Sequence, residues 1–127
     1  MRVAHVALWT RDLAGAGSFW KQYFDAEVGA RYRSSRRPGF ESCFVRLPDG
    51  GVQLELMTAP WAEEKGGDEC LGWDHIAISL GSREAVDALA ARGAADGKLL
   101  AGPRTTGDGF YEAVLVAPDG TRVEITS

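Results

Sequence analysis

The pattern of apolar and polar positions in this chain runs through one course and then repeats it. Residues 3–9 alternate and are β-prone, which predicts a strand. Asp12 is placed to cap a helix whose apolar residues Leu13, Ala16, Phe19, Trp20, Tyr23 and Phe24 recur at helical spacing. Gly15 and Gly17 weaken that helix, at about 1 kcal/mol each relative to alanine. A short strand over 28–33, a loop at SSRRPG and a strand over 40–47 follow. Pro48-Asp49-Gly50 then makes a turn into a strand over 52–57.

The second half gives the same order. A strand over 74–80 leads to a helix capped by Ser82 and ending near Arg92. After it come a weak strand near 96–100, a glycine-rich segment, a strand over 110–117, a turn at 118–120 and a strand over 121–126. The correspondence is also visible residue by residue. AHVALW at 4–9 aligns with DHIAIS at 74–79, and FESCFVRLPDG at 40–50 aligns with FYEAVLVAPDG at 110–120. Gly51 is extra, after which VQLEL at 52–56 aligns with RVEIT at 122–126. An ordered series of three matches defines two α+β modules of βαβββ order, 1–58 and 73–127, joined by a polar linker over 59–72.

Chemistry enters through that repeat. The chain's only two histidines, His5 and His75, hold the same position in the two copies, as do Glu55 and Glu124 in the final strands. Strand alternation puts His75, Ala77 and Ser79 opposite Ile76, Ile78 and Leu80, and His5 opposite Val6 and Leu8. Glu55 shares its face with Gln53 and Met57, and Glu124 shares its face with Arg122 and Thr126. Taken singly, each is an ordinary surface residue. Taken as equivalent pairs of consistent facing, two imidazoles and two carboxylates make a nitrogen–oxygen donor set for nickel, zinc, cobalt, iron or manganese. That set requires the sheets to curl round a common hollow.

Composition narrows the alternatives. Hydrophobic residues are 45% and charged residues 25%, a globular mixture that suits one domain of this length. Fourteen basic against eighteen acidic residues give a net charge of −4, which argues against nonspecific nucleic-acid binding. Arg31, Arg33, Arg36 and Arg37 read as a solvated face. No apolar run is long enough for a bilayer, and the N-terminus carries charge too early for a signal peptide. Cys43 and Cys70 are too far apart for a CxxC site, and the expected setting is a reduced cytoplasm, with Cys43 a small buried hydrophobe.

HVAL at 5–8, the D…SFW stretch at 12–20, DHIAIS at 74–79 and PDGTRVEI at 118–125 resemble the vicinal oxygen chelate superfamily, the glyoxalase, bleomycin-resistance and extradiol-dioxygenase group. The resemblance implies paired βαβββ modules forming a partly open, U-shaped mixed-sheet barrel around a metal-binding cavity. It also implies homodimers and a small-molecule substrate. Its glyoxalase I branch presents four metal ligands, matching His5, Glu55, His75 and Glu124. Extradiol dioxygenases would use His5, His75 and Glu124 for Fe(II), and epimerases commonly have glutamine at the Glu55 position. Bleomycin-binding members usually lack the set. The quartet therefore favours the glyoxalase-like branch, with one divalent ion per site: nickel, zinc, cobalt or manganese, and Fe(II) as the alternative.

The expected activity is a metal-dependent lyase or isomerase acting on a small α-hydroxycarbonyl or thiohemiacetal through an enediolate. Glu124 is the preferred base and Glu55 the second candidate. Runner-up functions are a metal-dependent epimerase, an Fe(II) extradiol-type dioxygenase and a non-enzymatic small-molecule binder. Trp9, Gln53, Met57, Arg122 and Thr126 are candidates for the substrate pocket, and GPRTTGDG at 102–109 reads as a flexible lip. Two departures from the family pattern stand out. Asp25 replaces the glycine that usually ends the first helix, and Trp9 stands where glutathione-using bacterial enzymes carry arginine.

Overall fold

A computed structural model describes residues 4–63, 73–107 and 109–127. Val3, Cys70 and the 64–72 part of the linker lie outside the described residues. The chain divides into two compact units, Met1–Glu64 and Lys65–Ser127.

In the first unit β1 (His5–Trp9) leads into α1 (Leu13–Phe24), followed by β2 (Glu27–Val28), β3 (Tyr32–Arg33), β4 (Glu41–Arg46) and β5 (Gln53–Thr58). The sheet order is β1-β5-β4-β2, with β3 also paired to β4. The β1–β5 pairing is parallel and the others are antiparallel. The helix forms because its apolar residues lie on one side: Leu13, Ala16, Phe19, Trp20, Tyr23 and Phe24 are all buried. They meet Cys43, Val45, Leu54 and Leu56 from the sheet, all buried as well. The aromatic content is dense, with Phe19 stacked on Tyr23 at 4.9 Å and edge-on to Trp20 at 5.7 Å. Asp12 is the N-cap residue but makes no side-chain capping bond. Asp25 ends the helix in the left-handed region at φ 50°.

The strand expected over 28–33 is two short ladders. Gly29 N–H still bonds to the Phe44 carbonyl at 2.8 Å, but the chain then leaves the sheet until Tyr32.

The second unit comprises β6 (His75–Ser79), α2 (Arg83–Ala95), β7 (Leu99–Thr105), β8 (Tyr111–Val116) and β9 (Arg122–Thr126), in sheet order β6-β9-β8-β7. Again the first pairing, β6–β9, is parallel and the rest antiparallel. Ser82 caps α2 by accepting from Ala85 N–H at 3.1 Å. Gly93 lets α2 approach β8 closely, because a Cβ there would sit 2.5 Å from Leu115 Cδ2. The segment read as a flexible lip is partly strand, since β7 runs through Gly102 and Pro103 to Thr105.

The expected barrel is not formed. Its strands fall into two separate mixed sheets, and among the described residues no ladder joins one to the other, whereas a barrel needs its strands hydrogen-bonded round to closure. Nor do the described residues include a group of three or more His, Cys, Asp or Glu able to hold a metal ion. The physical reason is that each unit gathers its donors two at a time. Among the described residues, no helix is long and apolar enough to cross a membrane.

Candidate functional site

Each unit presents one histidine–glutamate pair on the sheet face away from its helix. In β1 exposure alternates, with His5, Ala7 and Trp9 exposed and Val6 and Leu8 partly covered. Parallel pairing places Gln53 across from His5, Glu55 across from Ala7 and Met57 across from Trp9. Glu55 reaches diagonally towards the histidine, and its Oε2 lies 3.8 Å from His5 Nε2. The imidazole stands edge-on against Phe44, with ring centroids 5.5 Å apart.

The second unit repeats this construction. Arg122 lies across from His75, Glu124 from Ala77 and Thr126 from Ser79. Glu124 Oε2 is 3.5 Å from His75 Nε2. In both pairs the glutamate is the more covered partner, its side chain about one-fifth exposed (19% and 18%) against 48% and 42% for the histidines.

The surroundings of the two pairs differ. His75 Nδ1 is 2.9 Å from Asp74 Oδ2, and Arg122 Nη1 donates to Asp74 Oδ1 at 2.9 Å. The hydrogen bond from His75, together with the Arg122 charge, holds the Asp74 carboxyl below the usual carboxylate range. Ala4 and Gln53 hold the equivalent positions beside His5, so among the described residues that chain of contacts is not repeated there.

The remaining pocket candidates are placed as follows. Trp9 is 44% exposed and meets Phe40 edge-on at 6.1 Å, while Arg37 stacks over both Phe40 and Trp61. Gln53 and Met57 are half-buried beside Glu55. Thr126 is buried, and its hydroxyl donates to the Tyr111 carbonyl at 3.3 Å. Arg122 is engaged by Asp74. An open recess of about 440 Å³ lies at the β4–β5 turn, lined by Asp25, Glu27, Arg46 and Gln53 among others. It is bridged by the exposed Arg46–Glu27 ion pair at 2.9 Å and gathers no catalytic chemistry.

Sequence reasoning missed Asp74. It precedes the strand, so alternation gives it no facing, and its signal is its place immediately before a histidine whose cross-strand neighbour is arginine.

Two βαβββ-ordered units, each carrying a histidine–glutamate pair at the same register, define the class. Residues 2–125 match the family model described as the Glyoxalase/Bleomycin resistance protein/Dioxygenase superfamily, and the chain belongs to that superfamily. No curated protein matches it. Among solved structures it is similar to a glyoxylase/bleomycin resistance protein/dioxygenase domain from Frankia sp. EAN1pec, at 20% identity and TM-score 0.83, covering 99% of this chain and 96% of that one. It is also similar to the trypanothione-dependent glyoxalase I of Leishmania major, at 22% identity and TM-score 0.77, covering 100% and 86%. A third is the fosfomycin resistance protein FosX of Listeria monocytogenes complexed with Mn(II) and sulfate, at 18% identity and TM-score 0.72, covering 98% and 90%. At such identities these likenesses establish the fold alone.

Proposed function

We propose that this chain is a divalent-metal-dependent lyase or isomerase of glyoxalase type, acting on a small α-hydroxycarbonyl or thiohemiacetal. The observation that carries this reading is the duplicated pair: His5 with Glu55 and His75 with Glu124, at N–O separations of 3.8 and 3.5 Å. Donors bound to one ion at ordinary zinc–nitrogen and zinc–oxygen lengths stand roughly 2.9 to 3.4 Å apart. Each pair is therefore within a few tenths of an ångström of a chelating bite, and its donor chemistry fits zinc, nickel, cobalt or manganese. Each pair would offer a divalent ion one neutral and one anionic ligand. The Mn(II) complex of the FosX relative supports a metal role in this fold.

When bound, the ion supplies Lewis-acid stabilisation of negative charge developing on adjacent substrate oxygens. The chain's own residues do the rest. A glutamate carboxylate, Glu124 first and Glu55 second, removes the carbon-bound proton and delivers it to the neighbouring carbon. The proton is conserved and no oxidant is consumed. His5 and His75 would hold the ion through Nε2, the ring atom that faces the glutamate in each pair. Trp9, Met57 and Gln53 border the first pair and would meet the substrate body. The working form is a homodimer, which sedimentation measures.

The test is turnover of methylglyoxal with a panel of thiols, before and after chelation and with each metal restored. The reading expects activity that disappears on chelation, and a loss of at least about a hundredfold in kcat for Glu124→Gln. Full activity and metal content in both Glu55→Gln and Glu124→Gln would refute it.

A further inference from the structure

Four arginines, Arg31, Arg33, Arg36 and Arg37, crowd one stretch of a chain whose net charge is −4. Their surroundings separate them. Arg31 and Arg33 share a single carboxylate, Glu41, at 3.0 and 2.7 Å. Arg37 has no carboxylate partner among the described residues. Its guanidinium lies instead over two aromatic rings, 5.3 Å from the centre of Phe40 and 4.9 Å from that of Trp61.

The backbone holds Arg37 in that place. Its N–H donates to Ser34 Oγ at 3.0 Å, and its carbonyl accepts from Phe40 N–H at 2.9 Å. Ser34 N–H closes the loop on the Phe40 carbonyl at 3.0 Å. Gly39 lets this loop lie against the chain leading to Trp61, for its φ is +91° and a Cβ there would stand 2.8 Å from Pro60 Cγ and Cδ. An arginine fixed in this way has already given up much of the side-chain freedom that binding costs. Contact with ring faces supplies no oxygen acceptor, so the N–H fork stays available to a ligand.

We infer that Arg37 anchors a binding site for a small aryl carboxylate, whose ring is received by Phe40, Trp61 and Trp9. The planar fork of one guanidinium matches the two oxygens and single charge of a carboxylate. The wall beside it is aromatic and open: Trp61 is 46% exposed, and Trp9, 44% exposed, meets Phe40 edge-on at 6.1 Å. A planar apolar ligand gains by covering such rings. Between residues 31 and 41 the only acid is Glu41, so the surplus of arginine draws an anion to this loop. Trp9 stands on the face of β1 that carries His5, which directs the ligand's ring towards the open face of the first sheet. Every residue of the site belongs to the first unit, and the site requires no metal.

The probe is naphthoate, with neutral naphthamide as its charge control, titrated into the full chain without metal. Nitrogen–proton NMR of the Trp9 and Trp61 indoles reports occupancy, and the buried Trp20 serves as internal reference. Naphthoate should shift Trp9 and Trp61 saturably and leave Trp20 in place. Naphthamide should bind more weakly by about tenfold or more. Arg37→Gln should bring naphthoate down to the naphthamide level. Arg36→Gln removes the same charge from the same loop and should cost about threefold at most. Trp61→Leu should weaken both ligands, and thermal melts establish that each variant folds.

Equal binding of naphthoate and naphthamide to the wild type, or no saturable shift with either, would overturn the inference, and that comparison needs no variant. So would equal losses from Arg36→Gln and Arg37→Gln, which would make the patch a diffuse field. A hexaglutamate peptide that shifts the same indoles at lower concentration than naphthoate would overturn it in favour of an acidic protein partner.

Discussion

His75 and Glu124 meet on a diagonal: their strands are parallel neighbours, yet the residue directly across from Glu124 is Ala77. The first unit has the same arrangement, with Ala7 across from Glu55 and His5 two residues back along the strand. A small residue at each of these positions leaves the space over which the glutamate crosses to the imidazole. Both alanines are exposed, so a larger side chain there has no core to disturb.

Replacing Ala77 with leucine should fill that space and part the pair. The expected outcome is metal affinity lower by tenfold or more, about 1.4 kcal/mol, with a melting temperature within a few degrees of wild type. Competition titration with cobalt(II) measures the first and calorimetry the second.

Gly102 allows β7 to continue where sequence alone indicates a loop. Its φ is +84°, and a Cβ there would stand 2.7 Å from the Glu112 carbonyl oxygen and 2.8 Å from Ala113 Cα. Backbone atoms cannot swing aside as a side chain can. Gly102→Ala should therefore destabilise the chain by about 2–4 kcal/mol, read as a drop in the guanidinium midpoint at unchanged slope.

Asp25 occupies the left-handed helix-ending position, where glycine carries no steric cost. Asp25→Gly should stabilise by roughly 0.5–1 kcal/mol and raise the melting temperature by roughly 2–5 °C. Metal affinity should not change, since Asp25 belongs to neither histidine–glutamate pair.

Cys43 is buried between sheet and helix, and burial pushes its thiol up in pKa, with Arg31 opposing and Glu55 adding to the rise. The unfolded chain therefore gives up this proton at lower pH than the folded one. Its contribution to stability is complete below the unfolded pKa and is lost as pH rises through the folded value. In a Cys70→Ser background, a disulfide reagent near neutral pH should react about a hundredfold more slowly with folded than with unfolded protein. Equal rates would place the thiol at the surface.

Short-range patterns in the sequence translated into structure where a single face decided the matter. The spacing of Leu13, Phe19, Trp20 and Phe24 defined α1, since no other element buries that set on one side. The alignment of His5 with His75 located equivalent strands, because one β-branched and apolar pattern recurs around both. Gly102-Pro103 was misread as loop, for two residues that normally end strands are held here by a shift in register against β8. Barrel closure was not legible at all. Alternation tells which way a side chain faces and carries nothing about which strand edges pair. Asp74 escaped for a related reason, since its contact with His75 is made from outside the regular strand.

The most direct test of the account is elemental analysis of untagged protein purified without chelator, followed by titration of the metal-free form with zinc, nickel, cobalt and manganese. One divalent ion per chain is expected, with binding lost when His5 or His75 is replaced by alanine in a chain that still folds. A folded chain that takes up none of these ions, or binds one equally well without either histidine, would contradict it.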